Sequence, residues 1–371
     1  MKVRIFLLKL RNGLIRISDY VEDLVSIYYE KKYFKELIAG TKDIIKNTKQ
    51  QNREIKLYFR SKVGIRTVPT YYHEYYHSMN NIYSHQYIPD RIFYKKIIPA
   101  LYHKDLINAY DDKNITEYLF PNILQPKTIL KRMNGFFYLN NKAVNKEDAV
   151  KACANLNDVV IKPVLYTSGG TKVRKMSCSN GITSMNKKNI EEVFNLYGNN
   201  FIIQEVIHQH HDLALLNESS VQTLRIVTYR RPNEVVILCS LIRIGRRGSF
   251  LDNGTAGGFC CGCNSDGTLK KYGYTFNPTT KITHTDNGTE LEGFQIPSYS
   301  KTIEIAEELH YSLPHFIMIG WDFTINEKGE VVLIELNPNF GIHIMQLTSG
   351  PAFGKYTDEI LEKMQCEKLK Q

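Results

Sequence analysis

Apolar positions follow helical spacing at the start of the chain and strand-length runs for much of the rest. Residues 18–64 read as two helices. Ser18 caps the stretch SDYVEDLVSIYYEKKYFKELIA, Gly40 ends it, and Thr41 caps a second helix running towards Gly64. Residues 65–105, dense in Tyr and His, keep no clear period. From residue 111 the pattern changes to short strands and helices. Asp111-Asp112-Lys113 opens a brief helix ending near Pro121, and Pro126 leads into a strand with a turn, KTILKRMNGFFYL. Further helices are predicted at Lys146 to Leu156, Asn186 to Leu196, Pro297 to Leu309 and Tyr356 to Leu369. Among them lie buried strands at VVIK and NFIIQEVI and alternating strands at SSVQTLRIVTYR and VVILCSLIRIG. Residues 273–300, rich in Thr, Asn, Gly and Ser, read as a long surface loop or ribbon.

The stretch Phe316 to Gly341 (FIMIGWDFTINEKGEVVLIELNPNFG) organises the rest. Phe316 to Ile325 and Glu330 to Leu336 flank the polar turn Asn326-Glu327-Lys328-Gly329, which predicts a hairpin. Asp322, Glu335 and Asn337 stand where a strand should be apolar. Glu335 and Asn337 share a face, because side chains alternate along a strand. If the turn pairs Ile325 with Glu330, Asp322 falls opposite Leu333, on that same face and diagonal to Glu335. Three oxygen donors then converge on one patch, as a hard cation such as Mg²⁺ requires. The plainer alternative is a solvated polar face. Against it, Glu335 follows the apolar run VVLI, and a buried carboxylate is costly unless paired or metal-bound.

With 371 residues the chain has room for two or three domains, each with its own core. The formal net charge of +10 belongs to the first third: residues 1–110 hold 20 Lys/Arg against 10 Asp/Glu, residues 111–371 hold 28 of each. Such a surplus suits an anionic membrane surface or a phosphorylated substrate. The interleaved rings of TYYHEYYHSMNNIYSHQY would suit single-stranded nucleic acid, but they suit better a helical layer packed on a neighbouring domain.

No apolar run approaches the ~20 residues of a membrane helix. The start, MKVRIFLLKLRNGLIRI, is broken by charge too often for a signal peptide. Seven cysteines without framework spacing agree with a reducing compartment, so a cytoplasmic protein is expected, peripheral at most to the inner membrane face. Cys260, Cys261 and Cys263 (FCCGC) lack the second ligand pair of a zinc site and read as small residues of a Gly-rich strand. His208, His210 and His211, with only Asp212 at ligand spacing, read as a polar loop.

Asp158 to Met176 (DVVIKPVLYTSGGTKVRKM) sets Lys162 in a buried strand just before Ser168-Gly169-Gly170-Thr171. Glycines let backbone N–H groups approach phosphate oxygens, and the lysine adds a point charge. The Walker pattern is absent, and a lone Gly-Gly turn is more often a hairpin. The next buried strand, Asn200 to Ile207, bears Gln204 and Glu205. Arg225 sits mid-strand, where a snorkelling or salt-bridged arginine is the alternative to a functional one.

In order, DDK, VVIKP with SGG, IIQEVI, TLRIVT and WDF…IELNP resemble the ATP-grasp superfamily. SSVQTLRIVTYR, LDNGTAGGFCCGCNSDG and IGWDFTINEKGEVVLIELNPNFG are similar to blocks of its sugar-transfer-associated family, and the likeness covers residues 85–350. The resemblance implies an α+β ATP-grasp fold, two halves clamping ATP, with a basic, mainly helical N-terminal region. Residues 1–110 would be that accessory region, 111–205 the first half with its lid, and 206–371 the catalytic half. Lys113 would be the first ATP lysine and Lys162 the second, which reaches the phosphates. Ser168, Gly169 and Gly170 would close over the phosphates; Gln204, Glu205 and Val206 would form the adenine hinge, and Asp212 a ribose contact. Asp322, Glu335 and Asn337 match the family's Mg²⁺ ligands, and Arg225 the arginine facing the transferred phosphoryl group. Two departures stand out: the phosphate loop has two glycines where many relatives have three or more, and a family-typical Asn is here Gln222.

The implied chemistry phosphorylates a carboxylate with ATP to an acyl phosphate, which an amine or another nucleophile then displaces. Mg²⁺, Lys162 and Arg225 would neutralise the moving charge. The expectation is an ATP-dependent carboxylate–amine ligase of cell-surface polysaccharide or glycoconjugate synthesis. Its partners would be a small or sugar-linked carboxylate and an amine-type nucleophile. An anionic membrane or the glycosylation machinery would meet the basic region; nucleic acid is not expected. Two alternatives stay open: a kinase of the same fold acting on a sugar or alcohol, and a non-catalytic nucleotide-binding module tethered to a glycosylation complex. Intact Lys162, Asp322, Glu335 and Asn337 argue against the module, and nothing in the sequence separates ligase from kinase.

Overall fold

Alternation from residue 128 onward builds two sheets, antiparallel at every pairing. The structure, a computed structural model, describes residues 25–65, 68–102, 104–165 and 170–370. Two units divide the chain. Residues 1–100, 277–280 and 358–371 form one, and residues 101–276 and 281–357 form the other, which carries both sheets.

The first sheet comprises β1 (Thr128–Met133), β2 (Phe136–Leu139), β3 (Lys142–Val144), β4 (Leu156–Pro163), β5 (Arg174–Ser179), β6 (Ile182–Thr183) and β7 (Phe201–Glu205). Its order is β3-β2-β1-β7-β4-β5-β6. Leu130, Val159, Ile161, Phe201 and Ile203 cluster with Ala149 and Cys153 of the helix Lys146–Cys153, and with Val193 and Phe194 of the helix Ile190–Tyr197. That second helix starts later than the sequence suggests, because Asn189 caps it through the N–H of Glu192 at 2.8 Å. With one face covered, alternation turns Lys131, Lys162, Ile202 and Gln204 to the other: Lys131 and Lys162 both pair with Ile202.

The second sheet holds β8 (Thr223–Arg230), β9 (Val235–Ile244), β10 (Phe259–Cys263), β11 (Leu269–Thr275), β12 (Met318–Ile325) and β13 (Val331–Asn337), in the order β11-β10-β9-β8-β12-β13. The helix Tyr299–Tyr311 packs on it. Beneath that helix Trp321 donates to the Thr228 hydroxyl at 2.8 Å, which also lies 2.7 Å from His310 Nδ1. Burial lowers His310 to about 4, so it stays neutral there. Trp321 and Phe323 take this face, which leaves Gly320, Asp322 and Thr324 on the opposite one.

The expected hairpin is present, but its register differs. Asn326 pairs with Glu330 and holds the turn: its side-chain oxygen accepts the N–H groups of Lys328 at 3.0 Å and Glu330 at 2.9 Å. Ile325 therefore faces Val331, and Phe323 faces Leu333. A bulge at Ile334 then shifts the pairing again, so that Asp322 stands directly opposite Glu335 rather than Leu333. Without the bulge Glu335 would turn to the helix-covered face. The shared face of Asp322, Glu335 and Asn337 thus depends on that one extra residue.

The other unit contains helices at residues 25–40, Lys49–Val63 and Tyr71–Asn80. Tyr72, Tyr75 and Tyr76 are fully buried in its own core: Phe34 and Tyr72 lie 4.1 Å apart between ring centroids, Tyr76 and Tyr87 4.9 Å. Buried in that core, these three rings offer no stacking platform for bases. Thr48, not Thr41, caps the second helix, because Gln51 completes a reciprocal capping box with it. Thr41 instead donates to Leu37 O at 2.7 Å, closing the preceding helix. The cap expected at Ser18 lies outside the described residues. No helix among the described residues is long and apolar enough to cross a membrane.

Candidate functional site

Asp322 lies on the face of the second sheet opposite the helix Tyr299–Tyr311, and its side chain is wholly buried. Arg225, its ladder partner on β8, donates through Nε and a terminal nitrogen to both carboxylate oxygens, each at 2.7 Å. Arg243 of β9 donates to the same carboxylate. It can do so because Thr223 pairs with Arg243 and Arg225 with Leu241, which sets both arginines on one face. Burial alone would raise the Asp322 pKa; the two guanidiniums outweigh it and hold the carboxyl well below its usual range. The Asn337 amide nitrogen lies 3.2 Å from Asp322 Oδ2 and 3.5 Å from Glu335 Oε1.

Two lysines complete the cluster. Lys113 Nζ stands 3.3 Å from Glu335 Oε2, and its backbone N–H donates to Val164 O at 3.4 Å, which ties the DDK segment to the end of β4. Burial works against the Lys113 charge, but Glu335 and Asp111 outweigh it and raise its pKa. Lys162 differs. Burial lowers it to about 8, Glu335 pulls upward, and the nearby Lys113 pushes down. Four cations thus surround Asp322 and Glu335, and Lys162 has no ion-pair partner among the described residues.

Of the remaining residues singled out from the sequence, Gln204 points to the Lys162 side of the first sheet and donates to Pro126 O at 3.2 Å. Glu205 points away and pairs with Lys127 at 2.7 Å; Val206 lies just past the end of β7. Asp212 is drawn to its neighbours, 3.1 Å from His211 Nε2 and 3.5 Å from His210 Nδ1, with no contact to the cluster among the described residues. The histidine segment is no mere loop: His210 caps the short helix His211–Leu216. The side-chain N and O atoms of His210, His211 and Asp212 lie within 4.8 Å of one another. Gly170 has φ +66° and approaches Asn253 so closely that a Cβ would lie 2.1 Å from its Nδ2. Ser168 and Gly169 lie outside the described residues. Gln222 is buried, donating to Asn217 O and Ser220 O and accepting the Gly245 N–H at 3.3 Å, a structural tie. The cysteines of FCCGC are free and form β10, as expected of small residues in a strand.

Residues 92–361 match the family described as sugar-transfer associated ATP-grasp. The chain belongs to that family. Its fold is the α+β ATP-grasp fold, with a helical N-terminal region. Among solved structures it is similar to N5-carboxyaminoimidazole ribonucleotide synthetase from Thermotoga maritima, with 12% identity and a TM-score of 0.32 over 62% of this chain and 41% of that one. It is also similar to D-alanine–D-alanine ligase from Bacillus anthracis, with 12% identity and a TM-score of 0.38 over 70% and 67% of the two chains. For the ligase of that name from Helicobacter pylori the values are 15%, 0.36, 69% and 58%. No curated protein matches the chain.

Two members of this charged cluster were not singled out from the sequence, Arg243 and Asp252. Arg243 Nε lies 3.8 Å from Asp252 Oδ2, and neither atom has a hydrogen-bond partner. Burial raises the Asp252 pKa, against the pull of Arg243 and Thr223. The signal was a second arginine in an otherwise apolar alternating run, LCSLIRIG, two strands from the Asp322 hairpin. Arg243→Met should lower stability by about 3–5 kcal/mol, because it strips Asp252 and half-strips Asp322 of their counter-charge. Urea unfolding checks this, and an unchanged midpoint would remove Arg243 from the network.

Proposed function

We propose that this ATP-grasp protein is an ATP- and Mg²⁺-dependent ligase that joins a carboxylate to an amine or related nucleophile through an acyl phosphate, in polysaccharide or glycoconjugate synthesis. One observation carries the reading: Lys113, Lys162, Arg225 and Arg243 converge on the face that bears Asp322, Glu335 and Asn337. Phosphoryl transfer depends mainly on positioning and charge neutralisation, and such a face supplies both.

The residues fit the metal. Two carboxylates and an amide offer hard oxygen donors, and one Asn337 nitrogen already reaches both carboxylates, so the three groups lie within the span of one ion. When bound, Mg²⁺ would neutralise charge on phosphoryl oxygens. Arg225 and Arg243 hold Asp322 ionised and fixed, and Lys162 supplies a charge that no carboxylate has claimed. We assign the phosphates to Lys113, Lys162 and the Ser168, Gly169 and Gly170 loop. The adenine goes to the hinge Gln204, Glu205 and Val206, mainly through backbone groups, and the ribose to Asp212. The substrates are a small or sugar-linked carboxylate and an amine, handled in the cytoplasm.

The test is isotopic. Purified protein is incubated with ATP, Mg²⁺, nucleotide sugars and candidate amines, and products are read by mass spectrometry. A ligase releases ADP and phosphate only when both substrates are present. Given a carboxyl-¹⁸O substrate, one labelled oxygen should appear in the released phosphate, because that oxygen attacks the γ-phosphorus and leaves with it. Phosphate retained on the product would mean a kinase; AMP and pyrophosphate would mean adenylation. Either result overturns the reading.

A further inference from the structure

Four cations of the basic first third form one stripe on the helix Lys49–Val63. Lys49, Arg53, Lys56 and Arg60 recur at i, i+4, i+7 and i+11, which is a single helix face. All four are exposed, and with Asn52 and Leu57 they line an open concavity. Ile55 and Phe59 anchor the helix from its other side. Among the described residues no ion pair joins any of the four to a carboxylate. Lys62 of the same helix, by contrast, pairs with Glu362 at 2.7 Å and Asp358 at 3.5 Å.

Helix physics does not account for the stripe. The first turn holds no acid, so Lys49 opposes the helix dipole. Lys49 and Arg53, like Lys56 and Arg60, are four residues apart and repel. A stripe that works against its own helix calls for an external anion to relieve it. Leu57, 53% exposed, sits within the stripe, four residues after Arg53 and three before Arg60. The stripe has no aromatic residue on which a base could stack, which disfavours single-stranded nucleic acid. Cations surrounding one apolar side chain match instead the headgroups and acyl boundary of a bilayer. The sequence upstream has the same character: residues 1–18 hold five Lys/Arg among apolar residues and no Asp or Glu.

We infer that the stripe Lys49, Arg53, Lys56 and Arg60, with Leu57 at its centre, docks the protein on an anionic phospholipid bilayer. The inference concerns this surface alone and stands or falls independently of the ligase reading.

The full-length protein is floated with phosphatidylcholine vesicles, with or without one-third phosphatidylglycerol. Binding should require the anionic lipid and vanish at 1 M salt, where the Debye length is about 3 Å. Replacing all four cations by Gln should weaken binding about 10²–10³-fold, since each cation near the surface contributes roughly five-fold. Leu57→Ser should cost a few-fold. Lys31→Gln, Lys32→Gln and Lys35→Gln together, on exposed positions of residues 25–40, should keep most of the binding. Urea midpoints equal to the parent's certify the fold of each variant. Four outcomes overturn the inference: equal binding to neutral vesicles, undiminished binding by the four-Gln variant, an equal loss in the Lys31/Lys32/Lys35 variant, or preference for single-stranded RNA over anionic vesicles.

Discussion

Glu335→Gln should abolish ATP turnover and leave the fold intact, whereas Asp322→Asn should damage both. The two carboxylates face each other across one ladder, but their surroundings differ. Asp322 is wholly buried and neutralises Arg225 and Arg243. An amide there leaves Arg225 without its counter-charge and Arg243 with Asp252 alone, a loss of about 3–5 kcal/mol by the usual cost of breaking a buried pair. The Glu335 side chain is 22% exposed, with Lys113 Nζ 3.3 Å away and the Asn337 amide nitrogen 3.5 Å away. Gln keeps a carbonyl oxygen for both neighbours, so its cost to the fold should be about 1 kcal/mol. What it removes is the charge that a hard cation needs. Turnover should therefore fall by about 10²-fold or more in both variants, as for the loss of one charge-stabilising group. Urea unfolding and ADP release, measured side by side, check the split. A Glu335→Gln enzyme that turns over ATP like the parent would take Glu335 out of the metal set.

The hairpin and its three oxygen donors were legible because a Gly-containing turn and strand alternation are local signals. The bulge was not: nothing in VVLIELN marks Ile334 as the extra residue. Lys162 stood out because a buried strand rarely carries an ammonium. Arg243 was hidden by the regularity of its strand, since an arginine in an alternating run also reads as a surface position. The start of the second helix turned on a choice between two threonines; Gln51, three residues after Thr48, decided it by completing the capping box. In the tyrosine-rich stretch Tyr72, Tyr75, Tyr76 and Met79 do keep helical spacing on one side of a short helix, but His73 and Ser78 are buried as well and the flanking rings blur the pattern. Local chemistry was readable where one residue type must meet one partner. It was not where a distant strand supplied that partner.

Lys162→Met should lose about 10²–10³-fold in kcat/KM for ATP and yet stabilise the fold at neutral pH. Both effects come from the same burial. In the folded protein Lys162 titrates near 8, below the 10.5 of an ordinary lysine. The unfolded chain therefore holds its proton more tightly between pH 8 and 10.5, and stability contributed by this group rises with pH across that window. Below pH 8 the folded protein bears the full cost of a charged, desolvated ammonium, and methionine removes it. Catalysis runs the other way. Phosphate oxygens need the charged form, so kcat/KM should fall as pH rises through about 8, when the free enzyme loses that proton. Lys162→Arg should keep its charge throughout and lose the alkaline fall, at a lower plateau because a planar fork replaces a point charge. Rate–pH profiles of the parent and the Arg variant, with urea midpoints of the Met variant at pH 7 and pH 10, test the whole argument. If the Arg variant keeps the parent's alkaline limb, that limb belongs to another group; if methionine gives no gain at pH 7, the lysine is not desolvated.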